Sequence, residues 1–458
     1  MRSKITYLED LELDLTSVEL ERFLFEYYNT PVNISEDGFS VEPYKKGWGI
    51  DGSLFILSLK YKQVYDDIKL HDKLIAKKYR KEKKGKYKKE IEHYKYASKY
   101  FYDINGDGEH VRTYVRNYNN GSGMLDDRRI LILDYHEGES EDLLLKLGFE
   151  IKSLESRLAK HKEEKQHLHE EGISNIQVLN QKLTEILSSG LKTTALLHAK
   201  AKECEDELPY TLKSNHFYGE KTFLKYLNLV FGDAYSKLDK TLKKKIDSAV
   251  DKLTSFYNGD DNSRILLTTT HGDLHNRNIV FDSYGRALLI GGSYMEEGVS
   301  SLDVAEQIIN DVVYLDFSRL EEIIIDGYLK EKRAYDDKFK IKRESFSDQF
   351  FVGATMISSF LKILKTAAFV SRVKKNLPDQ FERFLINEPI YRLVTDHNFE
   401  SGGFLKLKNI HYNLSLLERV SQYTAENAER FGLGYLSNAI NDFHEVILYL
   451  NETYEKRD

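Results

Sequence analysis

The sequence predicts an α+β protein of two lobes: a small antiparallel sheet with a helix against it, then a larger, mainly helical lobe holding one β-hairpin. Three observations predict this order. Short apolar runs bounded by glycines and polar turns crowd the stretch up to residue 135. Helical apolar spacing dominates after residue 140. One strand–loop–strand–turn–strand passage, RILLTTTHGDLH followed by IVFDSYGRALLIGG, interrupts the helices.

The elements follow in order. Residues 1–37 are polar with short apolar pieces and read as an N-terminal extension. In SVEPYKKGWGIDGSLFILSLKY two apolar runs flank a glycine cluster, which reads as strand, turn, strand. KLIAKKYR is a third strand, KYKKEIEHYKYASKYF (86–101) a helix, and RILILDYHEGES a buried strand ending in a polar turn. These make a first lobe over 38–135. The second lobe spans 136–458, with its hairpin at 266–292. SNIQVLNQKLTEILSSGLKTTALLHAKA, two helices within 217–257, VAEQIINDVVYLDF, QFFVGATMISSFLKILKTAAFV and LSNAINDFHEVILYLNETYE carry its helical pattern.

Composition excludes several classes. Hydrophobic residues at 41% leave room for a sizeable core, which argues against long disorder. A net charge of −7 gives no general attraction to nucleic-acid or membrane phosphates. Cys204 is the only cysteine, so neither an intrachain disulfide nor a cysteine zinc cage forms, and a reducing, cytoplasmic setting is expected. MRSKITYLEDLELDL lacks the apolar core of a signal peptide. No run approaches the roughly 20 apolar residues of a membrane span, so no membrane partner is expected. His161, His167 and His169 are six and two residues apart, not the three or four that share a helix face, which argues against a metal site. No G-x-S-x-G elbow is present.

One packet of polar residues carries chemistry: HGDLHNRNIVFD at 271–282. Together with the lobe order it resembles the protein-kinase-like superfamily, in its aminoglycoside phosphotransferase and choline kinase type branch. There the catalytic loop reads roughly H-G-D-x-H-x-x-N, matched here at His271, Gly272, Asp273, His275 and Asn278. TTALLHAKA is similar to the helix segment that precedes this loop in the branch. By motif the resemblance spans residue 38 to about 315, and it implies a protein-kinase-like fold with ATP between the lobes.

The roles that the resemblance implies make physical sense. Phosphoryl transfer needs positioning and charge neutralisation more than covalent help. Asp273 would orient the attacking hydroxyl, and the amide oxygen of Asn278 would bind Mg²⁺, a hard ion that prefers oxygen. Gly272 would let the backbone turn tightly beside Asp273. His271 and His275 would brace the loop or face substrate. Gly47, Gly49 and Gly52 fit G-x-G-x-x-G, and their place between two strands suits a lid over phosphates rather than a dinucleotide site. In LIAK, Lys77 would hold the α/β-phosphates, with Lys78 as the competitor one residue out of register. Glu90 or Glu92 would pair with that lysine, Glu90 being preferred. Asp134, Tyr135 and His136 would form the hinge beside the adenine ring.

One departure bears on activity. After the hairpin the family carries a second metal ligand, an Asp, where this chain reads Leu289-Ile290-Gly291-Gly292. Asp303, in Leu302-Asp303-Val304-Ala305, stands twelve residues after Gly291, the spacing the branch keeps from its metal Asp, so the register is sound. Asp303 reads as support, capping a helix or bracing the loop. Glu296, Glu297 and Asp282 are local replacement carboxylates, each expected to be an exposed loop charge. Two readings follow. One is ATP-dependent transfer of the γ-phosphoryl group to a small-molecule hydroxyl, with altered metal handling. The other is a catalytically silent module in a bacterial regulatory assembly, binding nucleotide or a protein partner.

Overall fold

A computed structural model describes residues 13, 15–28, 30–43, 52–62, 70, 72–81, 85, 87–88, 90–91, 129–135, 147, 150–151, 153–155, 157–158, 166–203, 220–275, 278–281, 287–289, 295–308, 317–341, 345–376 and 410–455. The chain divides into two compact units. The first is Met1–Gly138 with Leu288–Tyr294, and the second is Glu139–Ala287 with Met295–Asp458.

In the first unit α1 (Ser17–Tyr28) is followed by β1 (Ile34–Pro43), β2 (Gly52–Tyr61), β3 (Lys73–Tyr79) and β4 (Ile130–Asp134). The strands form an antiparallel sheet in sequence order. Phe55 pairs with Ala76, Leu57 with Leu74, and Ala76 with Ile132, so these apolar side chains share one face of the pleat. Leu20, Phe23 and Leu24 of α1, at helical spacing, complete the buried core on that face.

The start of α1 is a capping box. Thr16 Oγ1 accepts from the Glu19 N–H at 3.3 Å, and Glu19 Oε2 accepts from the Thr16 N–H at 2.9 Å. Glu21 Oε1 then accepts from the Ile34 N–H at 2.6 Å, tying α1 to the first residue of β1. Part of the stretch read from sequence as an extension is therefore core-bearing helix and sheet. β1 bulges between Ile34 and Phe39. Gly38 sits in that bulge, where a Cβ would lie 2.4 Å from the Lys60 carbonyl oxygen.

The second unit begins with α2 (Gln166–Glu203), α3 (Glu220–Phe231), α4 (Asp233–Ser236) and α5 (Lys240–Tyr257). Then come β5 (Leu267–Thr270), β6 (Ile279–Phe281) and β8 (Glu296–Val299), while β7 (Ala287–Leu289) runs from Ala287 into the Leu288–Tyr294 segment counted with the first unit. β6 pairs with β7, and β5 pairs antiparallel with β8. The rest is α6 (Ser301–Ile308), α7 (Phe317–Ile323), a π-helical turn (Ile324–Leu329), α8 (Lys330–Lys338), α9 (Asp348–Asn376), α10 (Ile410–Glu426) and α11 (Ser437–Glu455). Asp239 caps α5, its Oδ1 accepting from the N–H groups of Thr241 and Leu242 at 2.8 and 2.9 Å.

Two expectations are corrected. Glu296 is not an exposed loop charge: it lies on β8 opposite Thr270 and is 3% exposed. Buried threonines of β5 supply the ladder that makes a strand of this acidic segment. Second, Asp348–Ala368 in α9 is long and apolar enough to cross a membrane, with a mean hydropathy of 1.3. Most of that stretch, 83%, is buried within the protein. A helix apolar all round is what the centre of a helical bundle requires, and α9 packs against α3, α6 and α10.

Candidate active site

In the first unit it is Lys77, not Lys78, that meets Glu90. Alternation puts Lys78 on the face of Leu74 and Ala76, which α1 covers, and Lys77 on the opposite one. There Lys77 Nζ donates to Glu90 Oε1 and Oε2 at 3.0 and 2.9 Å. Glu90 is 1% exposed, and its carboxylate also accepts from the Tyr79 hydroxyl. The lysine Nζ lies 4.7 Å from the Tyr79 ring centroid. Tyr87 packs on Tyr79 and donates to the Ile130 carbonyl at 3.3 Å, fixing the helical residues near Glu90 to β4. Asp134 ends β4 opposite Leu74. Tyr135, the next residue, is partly buried, with Lys73 Nζ 5.4 Å from its ring centroid. Gly52 opens β2 opposite Tyr79. Gly47, Gly49, Glu92, His136, Asp282 and Gly291 lie outside the described residues.

In the second unit the loop after β5 is held from beneath. Gly272 has φ +77°, a conformation that suits glycine and turns the chain beside Asp273. Asp303, in the first turn of α6, is fully buried. Its Oδ2 accepts from the His271 N–H at 2.6 Å and its Oδ1 from the Gly272 N–H at 3.0 Å. His198 Nε2 meets the same Oδ2 at 3.0 Å, while its Nδ1 meets the Tyr328 hydroxyl at 2.7 Å. Burial works to raise the Asp303 carboxyl, but the hydrogen bond and charge of His198, then His271 and Lys362, outweigh it and hold it below its ordinary value. Thr268 and Thr270 of β5 bond to the carbonyls of His198 and Glu296 at 3.3 and 2.9 Å. The side chain of His271 is itself buried beneath the loop.

Asp273 emerges from this braced turn, partly exposed. Its Oδ1 is 3.1 Å from Lys365 Nζ, and its Oδ2 is 3.7 Å from His275 Nε2. Burial acts to raise this carboxyl, yet Lys365 above all, then His275 and Lys362, hold it well below the usual carboxylate range. It therefore stands ionised at neutral pH, an acceptor ready for a hydroxyl.

Asn278 Nδ2 donates to the Asp273 carbonyl at 2.6 Å. The planar amide then turns its oxygen away from that carbonyl. Such an oxygen suits Mg²⁺, which is commonly held by one or two protein ligands plus substrate phosphates. Among the described residues no group of three or more His, Cys, Asp or Glu side chains could hold a metal. The Asn278 amide oxygen could serve as one such protein ligand to Mg²⁺.

Sequence reasoning missed three participants. Glu306 accepts from the Leu274 N–H at 3.1 Å and pairs with the buried Lys362, and its Oε1 lies 3.4 Å from Lys365. Glu306 follows Asp303 by three residues, one turn along α6, and that spacing was the available signal. Lys362 and Lys365 sit on α9, some ninety residues from the loop, where no local pattern points to it.

No family model matches the sequence, and a search of curated proteins gives no match. Among solved structures the fold is similar to choline kinase from Cryptosporidium parvum Iowa II, with a TM-score of 0.44 and 14% identity over 80% of this chain and 92% of that one. It is similar to macrolide 2'-phosphotransferase MphH from Brachybacterium faecium at 0.41 and 10%, over 83% and 98%. It is similar to choline kinase LicA from Streptococcus pneumoniae at 0.37 and 13%, over 89% and 99%. Likenesses of this size carry no assignment of chemistry, which rests on the loop and the lysine pair.

Proposed function

We propose that this chain is a kinase-like phosphotransferase of the aminoglycoside phosphotransferase and choline kinase type, transferring the γ-phosphoryl group of ATP to a small-molecule hydroxyl. The observation that carries the reading is the Asp273 loop: an ionised carboxylate on a glycine turn whose two preceding N–H groups are locked by a buried carboxylate. A loop of this rigidity suits in-line transfer, where positioning supplies most of the rate.

In this scheme Lys77, fixed by Glu90, binds the α/β-phosphates. Asp273 accepts the hydrogen bond of the acceptor hydroxyl and aims its lone pair at the γ-phosphorus. Asn278 ties the loop to itself through Nδ2 and offers Oδ1 to Mg²⁺, which when bound neutralises phosphate charge. His198, Tyr328 and Asp303 keep the loop from relaxing. As part of this reading the protein is proposed to work in the cytoplasm, where ATP is supplied.

The second reading, a silent nucleotide-binding or protein-interaction module, is favoured by Gly291 in the place of the metal Asp. One experiment separates the two. ATP with Mg²⁺ raises the melting temperature by mass action in both cases of nucleotide binding. Only the enzyme turns ATP over with a hydroxyl acceptor, and Asp273→Asn lowers that kcat by about a hundredfold or more while leaving the ATP-induced shift in place. Turnover unaffected by Asp273→Asn removes the assigned role.

A further inference from the structure

Resting on that phosphotransferase reading, we propose that Lys365 is a further catalytic residue, whose ammonium contacts the oxygens of the phosphoryl group during transfer. The neighbourhood of Glu306 carries the argument. Glu306 is 7% exposed and already has Lys362, 2% exposed, as its counter-ion, with the Leu274 N–H as a further donor. A second lysine one turn further along α9 is not required to neutralise it. Lys365 is instead held between two carboxylates, 3.4 Å from Glu306 and 3.1 Å from Asp273, with 29% of its side chain exposed. Glu306 and Asp273 thus hold the tip of this cation at the loop.

The reaction then uses that tip. The acceptor oxygen forms its bond to the γ-phosphorus, and the bond from that phosphorus to the β,γ-bridging oxygen breaks, its electron pair leaving with the nucleoside diphosphate. The hydroxyl proton passes to the Asp273 carboxylate and from there to water. Before transfer Lys365 is drawn to Asp273 Oδ1. As the proton arrives, that attraction weakens while negative charge lies on the phosphoryl oxygens beside the acceptor. The ammonium moves to them by rotation of a flexible stem. A contact that strengthens on the way to the transition state lowers the barrier, where one of constant strength only tightens binding.

The test uses the full-length protein, ADP, Mg²⁺ and aluminium fluoride, which with ADP mimics the phosphoryl group in flight and needs no identified acceptor. In the wild type ADP raises the melting temperature, and aluminium fluoride adds a further increment. Lys365→Met should keep the ADP shift and lose the increment. Lys365→Arg should keep part of it, and Lys365→Gln should repeat the Met result if the Met variant folds poorly. Where turnover is measured, kcat should fall about a hundredfold with the ATP KM near wild type. An undiminished increment in Lys365→Met and Lys365→Gln overturns the inference alone. Absence of any shift by ATP or ADP in the wild type overturns the phosphotransferase reading, and this inference falls with it.

Discussion

Lys77 and Lys78 are adjacent lysines with opposite fates, because a strand sends successive side chains to opposite faces. Lys77 reaches a carboxylate that is almost wholly buried, so its removal exposes the fold to the cost of an unneutralised charge. Lys77→Met should lower stability by about 1–3 kcal/mol in urea denaturation and abolish the ATP-dependent shift in melting temperature. Asp303 answers to pH. A carboxyl held below its unfolded value stabilises the fold at pH above that unfolded value, and the contribution is lost as pH falls through the folded one. The hydrogen bond and charge of His198, then the charges of His271 and Lys362, make Asp303 such a group despite its burial. Asp303→Asn should cost about 3 kcal/mol at pH 7, and part of the wild type's loss of stability below the ordinary Asp range should be missing from the variant.

At the scale of elements, α1 and β8 show where pattern reading stops. α1 carries a T-x-x-E box and apolar residues at 20, 23 and 24, yet it lies in a polar stretch of chain whose average composition hides it. If α1 is part of the sheet's core, Phe23→Ala should cost about 3–5 kcal/mol. A dispensable extension would show less than about 0.5 kcal/mol in the same denaturation measurement. β8 has no strand signature of its own: Glu296-Glu297-Gly298-Val299 becomes a strand because β5 offers an unpaired ladder beside it. α9 is the reverse case, unmistakable as a helix from its apolar run, while the use of Lys362 and Lys365 within it is invisible until the loop of β5 is seen beside them.

For the molecule as a whole the open variable is the metal. On the proposed reading Gly291 stands where a metal-holding Asp is expected, while Asp303 still braces the loop that carries Asp273. If the machinery is otherwise intact, Gly291→Asp should raise ATP turnover by about tenfold or more and lower the Mg²⁺ concentration at which ATP stabilises the protein. Unchanged turnover together with unchanged Mg²⁺ dependence would mean that position 291 no longer limits the reaction. Both quantities come from a coupled ADP-release assay and thermal melts over a magnesium series.

The sequence by itself determined the lobe order, the four strands of the first sheet and the glycine-turn loop at 271–278, because each is written in local spacing: alternation, glycine turns and a short polar signature. It left open which lysine faces Glu90, what holds Asp303 and which cations stand beside Asp273. Those were decided only by the tertiary structure. A side chain's charge partner depends on which distant helix face folds against it, and residues ninety positions apart share no periodicity that would announce their meeting.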